Sequence, residues 1–154
     1  MPKIDIDTLE VRSGCSYPDP FKAICLGSTW KKLGDAAGLT DFGVNLVRLP
    51  PGKWSSQRHW HTHEDEMVYV LEGEVTLVED DGEHVLRAGD CAGWKAGVQN
   101  GHCLQNHSDR DAIYIEIGSR KPEVDACDYP DIDMVARAGE PFYRHRDGTP
   151  YPET

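Results

Sequence analysis

The stretch GKWSSQRHWHTHEDEMVYVLEG, Gly52 to Gly73, decides how the chain is to be read. It ends in Met67–Leu71, a β-branched and aromatic run suited to a strand. Three of the chain's seven histidines, His59, His61 and His63, lie in its middle. Side chains on a strand alternate faces with period two, so these imidazoles begin on one face, opposite Trp60 and Thr62. Two imidazoles at i and i+2 can converge on one ion at the roughly 2.0–2.2 Å of a histidine–metal bond. His63-Glu64-Asp65 is a polar turn, and Glu66 re-enters a strand from which it can point back toward His59 and His61.

Working outward, Val44–Leu49 alternates, Val75–Val78 follows Gly73, and Glu79-Asp80-Asp81-Gly82 signals a hairpin returning along His84–Arg87. Gly89-Asp90 is another turn. His102–Asn106 and Ala112–Ile117 are further strands. Strands at this spacing between Gly, Asp and Pro predict an antiparallel sandwich or barrel. Along the last of them Ile113, Ile115 and Ile117 are expected to fill the core. Tyr114 and Glu116 are then outward; facing inward, they would be acid–base candidates. Trp54, Trp60 and Trp94 read as packing residues, and Arg58, alternating with His59, should pair outside. Lys22–Lys32 suggests one strand pair around Gly27, Leu33–Thr40 a loop, and residues 1–20 little regular pattern. Residues 120–154 hold five of the ten prolines. They read as an irregular, acidic arm with at most a short strand or helical turn near Ile132–Arg137. Its aromatics, Tyr129, Phe142, Tyr143 and Tyr151, would anchor it on the barrel or on a second subunit.

Composition narrows the function. A chain of 154 residues suits one domain. With 27 acidic against 16 basic residues, the net charge of −11 argues against nucleic acid and anionic membrane surfaces. No apolar run approaches the roughly 18–20 residues of a membrane span, and Met1 to Gly14 has no signal-like apolar segment. Five cysteines without a CxxC then suit reduced thiols in a cytoplasm.

His102, at a strand start after Gly101 and on one face with Leu104 and Asn106, is the obvious further ligand. Three imidazoles and a carboxylate suit one divalent transition ion per chain (Mn, Fe, Ni, Co, Cu or Zn) better than Mg or Ca. His63 is either a rim residue or a further ligand.

The segment from Gly52 to Gly73 resembles the first motif of the cupin superfamily: Gly, a spacer, HxH, three or four residues, Glu, six residues, Gly. Four residues separate His61 from Glu66 and six separate Glu66 from Gly73. Pairing His61 with His63 would break that spacing. The second motif is modified. Gly89 leads to Lys95-Ala96-Gly97, with Lys95 in place of proline. Asn100 stands where the histidine belongs, and the His-x3-Asn ending appears two residues later as His102 to Asn106. The resemblance implies metal ligands His59, His61, Glu66 and His102. It implies an all-β, jelly-roll barrel over about 42–118 within one domain spanning 1–154, with 119–154 as the C-terminal arm. A homodimer is frequent in that family. Glu66 is the catalytic candidate; Asn106, Lys95 and His63 are substrate-binding candidates.

The metal would chelate a small hydroxy-carbonyl, sugar-like or keto-acid substrate and promote proton transfer. The leading expectation is an isomerase, epimerase or lyase. A dioxygenase uses the same ligands, and a non-catalytic sensory barrel is the third reading.

Overall fold

The computed structural model describes residues 3–152; the outer two residues at each end of the 1–154 span lie outside it. A short 3-10 turn at Ile6–Thr8 precedes strand β1 (Arg12–Ser13) and β2 (Thr29–Lys32). After the single helical turn α1 (Leu33–Ala36) come β3 (Phe42–Leu49), β4 (Trp60–His61), β5 (Glu66–Glu72), β6 (Glu74–Glu79) and β7 (Gly82–Arg87). The chain continues through β8 (Cys91–Trp94), β9 (Cys103–Gln105) and β10 (Ala112–Ser119). It ends in β11 (Cys127–Tyr129), β12 (Met134–Ala136) and β13 (Tyr143–Arg144).

All strand pairs are antiparallel. One wall is a six-stranded sheet in the order β1-β2-β3-β10-β5-β8; the others are β13-β12-β11-β4 and β7-β6-β9. Period-two alternation builds the core. Val47 and Leu49 of β3, Val68 and Val70 of β5, and Ala112 and Tyr114 of β10 meet Val75, Leu77 and Leu104 from the three-stranded sheet. Each fully buried Val or Leu contributes about 1.5–3 kcal/mol. The jelly-roll barrel expected from the sequence is what forms.

The register of β10 is the opposite of the expected one. Tyr114 is 1% exposed and faces the core, whereas Ile115 and Ile117 sit opposite Tyr69 and Met67 on the outer face. Hydrophobicity misled here because the inner wall surrounds a polar cavity beside Glu116, while the outer face is apolar.

The ends are more ordered than expected. Lys22–Lys32 holds one strand, not a pair, and part of Leu33–Thr40 is helical. The arm supplies β11, β12 and β13, and β11 pairs with β4, so Cys127 lies opposite His61. Strands of two or three residues are too short to display an alternation, and this partner is far away in sequence. A second core joins the arm to the N-terminal segment: Tyr17 and Cys25 pack with Tyr129 and Met134.

Gly73 explains the closing glycine of the motif. Its φ is +73°, and a Cβ there would lie 2.7 Å from the carbonyl oxygen of Asp111. Left-handed backbone alone costs a residue with a Cβ about 1–2 kcal/mol. Gly73→Ala is therefore expected to lower stability by at least about that much, read as a lower urea midpoint with an unchanged slope.

Candidate metal centre

Three imidazoles are brought together by two backbone ladders. His59 and His102 exchange a pair of backbone hydrogen bonds, 3.1 and 2.9 Å, which puts their rings on one side with centroids 5.3 Å apart. His61 follows two residues on, its ring centroid 5.1 Å from that of His59. Glu66 opens β5 in the six-stranded sheet, so it reaches the histidines from across the barrel rather than from a neighbouring strand. Its Oε2 lies 2.8 Å from His102 Nε2 and its Oε1 3.5 Å from His61 Nε2. Donor atoms of His59, His61 and Glu66 all fall within 4.8 Å of one another. His102 adjoins that set through its contact with Glu66.

The outer nitrogens are all engaged. His59 Nδ1 donates to the Gln57 carbonyl at 2.8 Å, His61 Nδ1 to Asp125 Oδ2 at 2.6 Å, and His102 Nδ1 to the Asn100 carbonyl at 3.3 Å. Such partners fix each ring and, in the neutral imidazole, leave Nε2 as the free nitrogen. In the metal-free protein Nε2 of His61 and of His102 instead shares a proton with Glu66, and a bound cation would take the place of those protons. Nitrogen donors with one carboxylate fit a transition ion better than Mg or Ca.

Asp125 joins the cluster although the sequence alone does not single it out: it lies in the arm, and no local spacing links it to His61. Its side chain is 8% exposed. Besides His61 it accepts, at Oδ1, from the backbone N–H of His63 at 2.8 Å and of Glu64 at 3.2 Å. Cys127 Sγ lies 3.3 Å from His61 Nδ1, and burial raises the thiol pKa, keeping it protonated. Trp94 stacks on His102 at 3.8 Å and Tyr129 on His59 at 5.5 Å, walling the cluster with aromatic rings.

Burial lowers the pKa of His59 to about 4, which keeps it neutral and able to bind an ion. Burial opposes ionisation of Glu66, but hydrogen bonds from His102 and His61 prevail and hold it well below the usual carboxylate range. Burial also opposes charging of His61, yet contacts with Cys127 and Glu66 outweigh it and raise its pKa. Glu116 goes the other way: burial raises its pKa, against the hydrogen bond from Asn45.

The remaining candidates lie elsewhere. His63 is exposed, its Nδ1 2.8 Å from Thr62 Oγ1. The Lys95 side chain is exposed. Asn106 is fully buried in a structural role: its amide donates to the carbonyls of Leu49 and Arg110, and its oxygen accepts from Ser108. Asn100 spans Asp80 and Glu79 and offers only its carbonyl to His102. Arg58 pairs on the outside with Asp131 and Asp80, as its alternation with His59 predicts.

The cupin domain pattern matches residues 45–118. Among solved structures, a sugar phosphate isomerase from a cupin superfamily of Silicibacter pomeroyi is 44% identical, with 98% of this chain and 97% of that one covered at a TM-score of 0.92. A protein of Acidithiobacillus ferrooxidans, provisionally named a sugar phosphate isomerase, is 32% identical over 76% of this chain and 74% of its own, TM-score 0.69. The polyketide cyclase RemF of Streptomyces resistomycificus shares the fold alone: 16% identity, 95% and 85% coverage, TM-score 0.61. No curated protein matches the chain. No helix among the described residues is long and apolar enough to cross a membrane.

Proposed function

The chain belongs to the cupin superfamily, and from that premise we propose that it is a metal-dependent isomerase of a small, sugar-like hydroxy-carbonyl compound. One divalent transition ion per chain would be held by His59, His61, Glu66 and His102. The supporting observation is that outer partners fix each Nδ1 and turn the Nε2 atoms of these histidines inward beside one carboxylate. The names of the two more similar solved structures support isomerisation over oxygen chemistry.

A bound ion supplies Lewis acidity toward vicinal oxygens and acidifies the adjoining C–H. The protein does the rest. Glu66 Oε1, the more loosely held of its two oxygens, takes the proton from carbon and returns it to the neighbouring carbon. Glu116, whose pKa burial raises, lines the adjoining space and in its protonated form can donate to a substrate oxygen. Trp94 and Tyr129 wall the site with aromatic rings, and the proton held by Glu66 exchanges with solvent before it is returned. Epimerisation and elimination begin with the same proton removal and belong to the same reading.

The test is proton exchange. Protein purified without a histidine tag and reloaded with Mn, Fe, Co, Ni, Cu or Zn is incubated in deuterated water with aldose and ketose substrates. Deuterium is expected at the carbon beside the carbonyl, without oxygen uptake. Oxygen consumption would support a dioxygenase instead. Tight binding without exchange would make the protein a sensor. The reading includes a cytoplasmic homodimer; the outer row Met67, Tyr69 and Leu71, 41–42% exposed, supports self-association. A monomer in sedimentation would remove that part.

A further inference from the structure

Beside the metal cluster lies a second space that the ligand set does not use. It is a cavity of about 260 Å³ between the N-terminal segment and the inner face of the six-stranded sheet. Ser55, Tyr114 and Glu116 line both this cavity and the smaller void of about 40 Å³ at the cluster, so the two share a wall.

Ser28 lines the larger cavity and is 7% exposed. Its Oγ is the one buried side-chain polar atom without a hydrogen-bond partner among the described residues. Leaving such a group unpaired costs stability, and native proteins seldom tolerate it without a reason. Elsewhere on the same lining, the Asn45 amide donates to Glu116 Oε1 at 3.1 Å, leaving the other Glu116 oxygen open. Trp30 adds an aromatic wall. Polar groups spaced along an aromatic surface suit a molecule with hydroxyls on an apolar carbon skeleton.

Among the described residues, no Lys or Arg lines either space; the only charged side-chain types in the two linings are Glu66, Glu116 and the histidines of the cluster. A buried phosphate requires Arg, Lys or several backbone N–H donors, and here it would meet carboxyl groups instead. The net charge of −11 repels it at long range as well.

Resting on the isomerase reading above, we propose that this cavity is the subsite for the rest of the substrate, and that it takes the hydroxylated chain of an uncharged sugar rather than a phosphate ester. Ser28 Oγ, closed off in its present rotamer, turns about χ1 into the cavity to find its missing partner in a sugar hydroxyl, and Glu116 binds a second one. The neutral state that burial favours for Glu116 lets it donate as well as accept.

The experiment titrates metal-reloaded, full-length protein with ribose, xylose, mannose and fructose, and with ribose 5-phosphate, mannose 6-phosphate and fructose 6-phosphate. Binding is followed by ligand-observed NMR, apart from turnover. At least one free sugar is expected to bind more tightly than its phosphate. Ser28→Ala is expected to weaken that sugar by about three- to tenfold, the worth of one hydrogen bond. The same variant should unfold at an equal or higher temperature than the parent, because it removes an unsatisfied buried group. Phosphates binding more tightly than their parent sugars would overturn the proposal. So would a Ser28→Ala protein with unaltered sugar affinity, or the failure of every free sugar to bind. Ser28-dependent sugar binding without carbon–proton exchange would keep the subsite and overturn the isomerase reading. Exchange confined to phosphate esters would do the reverse.

Discussion

His59→Ala, His61→Ala and Glu66→Ala are each expected to emerge from purification almost free of metal, against an expected ion per chain in the parent. Each removes one donor from a set whose atoms lie within 4.8 Å of one another. Removing a partner that merely orients a ligand already costs about 10–100-fold in metal affinity, so losing a ligand should cost more than about 100-fold. At about 1.4 kcal/mol per tenfold, that is about 3 kcal/mol or more of binding. Elemental analysis gives the occupancy. Thermal unfolding provides a second readout, since an ion that binds only the folded state raises the parent's midpoint and leaves the variants unmoved. His102→Ala belongs to the same series and tests the fourth ligand by itself. Full occupancy in that variant would leave His102 as a neighbour of Glu66. An unmetallated parent, even after reloading, would end the metal reading.

Asp125→Asn is expected to weaken metal binding by about 10–100-fold although it changes little in shape. The reason is the direction of one hydrogen bond. Asp125 Oδ2 accepts from His61 Nδ1, while Oδ1 accepts from the backbone N–H of His63 and Glu64. In the amide variant those two backbone donors hold the remaining oxygen in place. The new amide N–H is thereby aimed at His61 Nδ1 and requires it to be the acceptor. The proton then moves to Nε2, the nitrogen needed for the ion. Nitrogen chemical shifts of His61 in the metal-free protein read this tautomer directly. Asp125→Ala also loses affinity, but without forcing the tautomer. Equal metal affinity in parent and Asp125→Asn would show that Asp125 only ties the loop together.

How legible was this in the chain? His59, His61 and Glu66 were legible because they sit on one strand–turn–strand segment, where period and turn length fix their relation. His102 was legible from a second local pattern, despite its displacement by two residues. Asp125 was not, because it depends on β11 pairing with β4, two very short strands far apart in sequence. Alternation along β10 separated Tyr114 and Glu116 from the isoleucines but could not say which face turns inward. The more hydrophobic face was expected inside, and the polar cavity reversed that choice. Lys95 and Asn106 stood out by their motif positions alone. The structure leaves the first exposed and gives the second to three backbone and hydroxyl partners.

The pairing of β11 with β4 also sets an order of events in synthesis. A ribosome releases the histidine segment long before residues 125–129. Until those arrive, His61 lacks the carboxylate that orients it, and His59 lacks the ring of Tyr129 above it. On the metal reading, a nascent or C-terminally truncated chain would therefore compete poorly for the ion, and capture would follow the docking of β11.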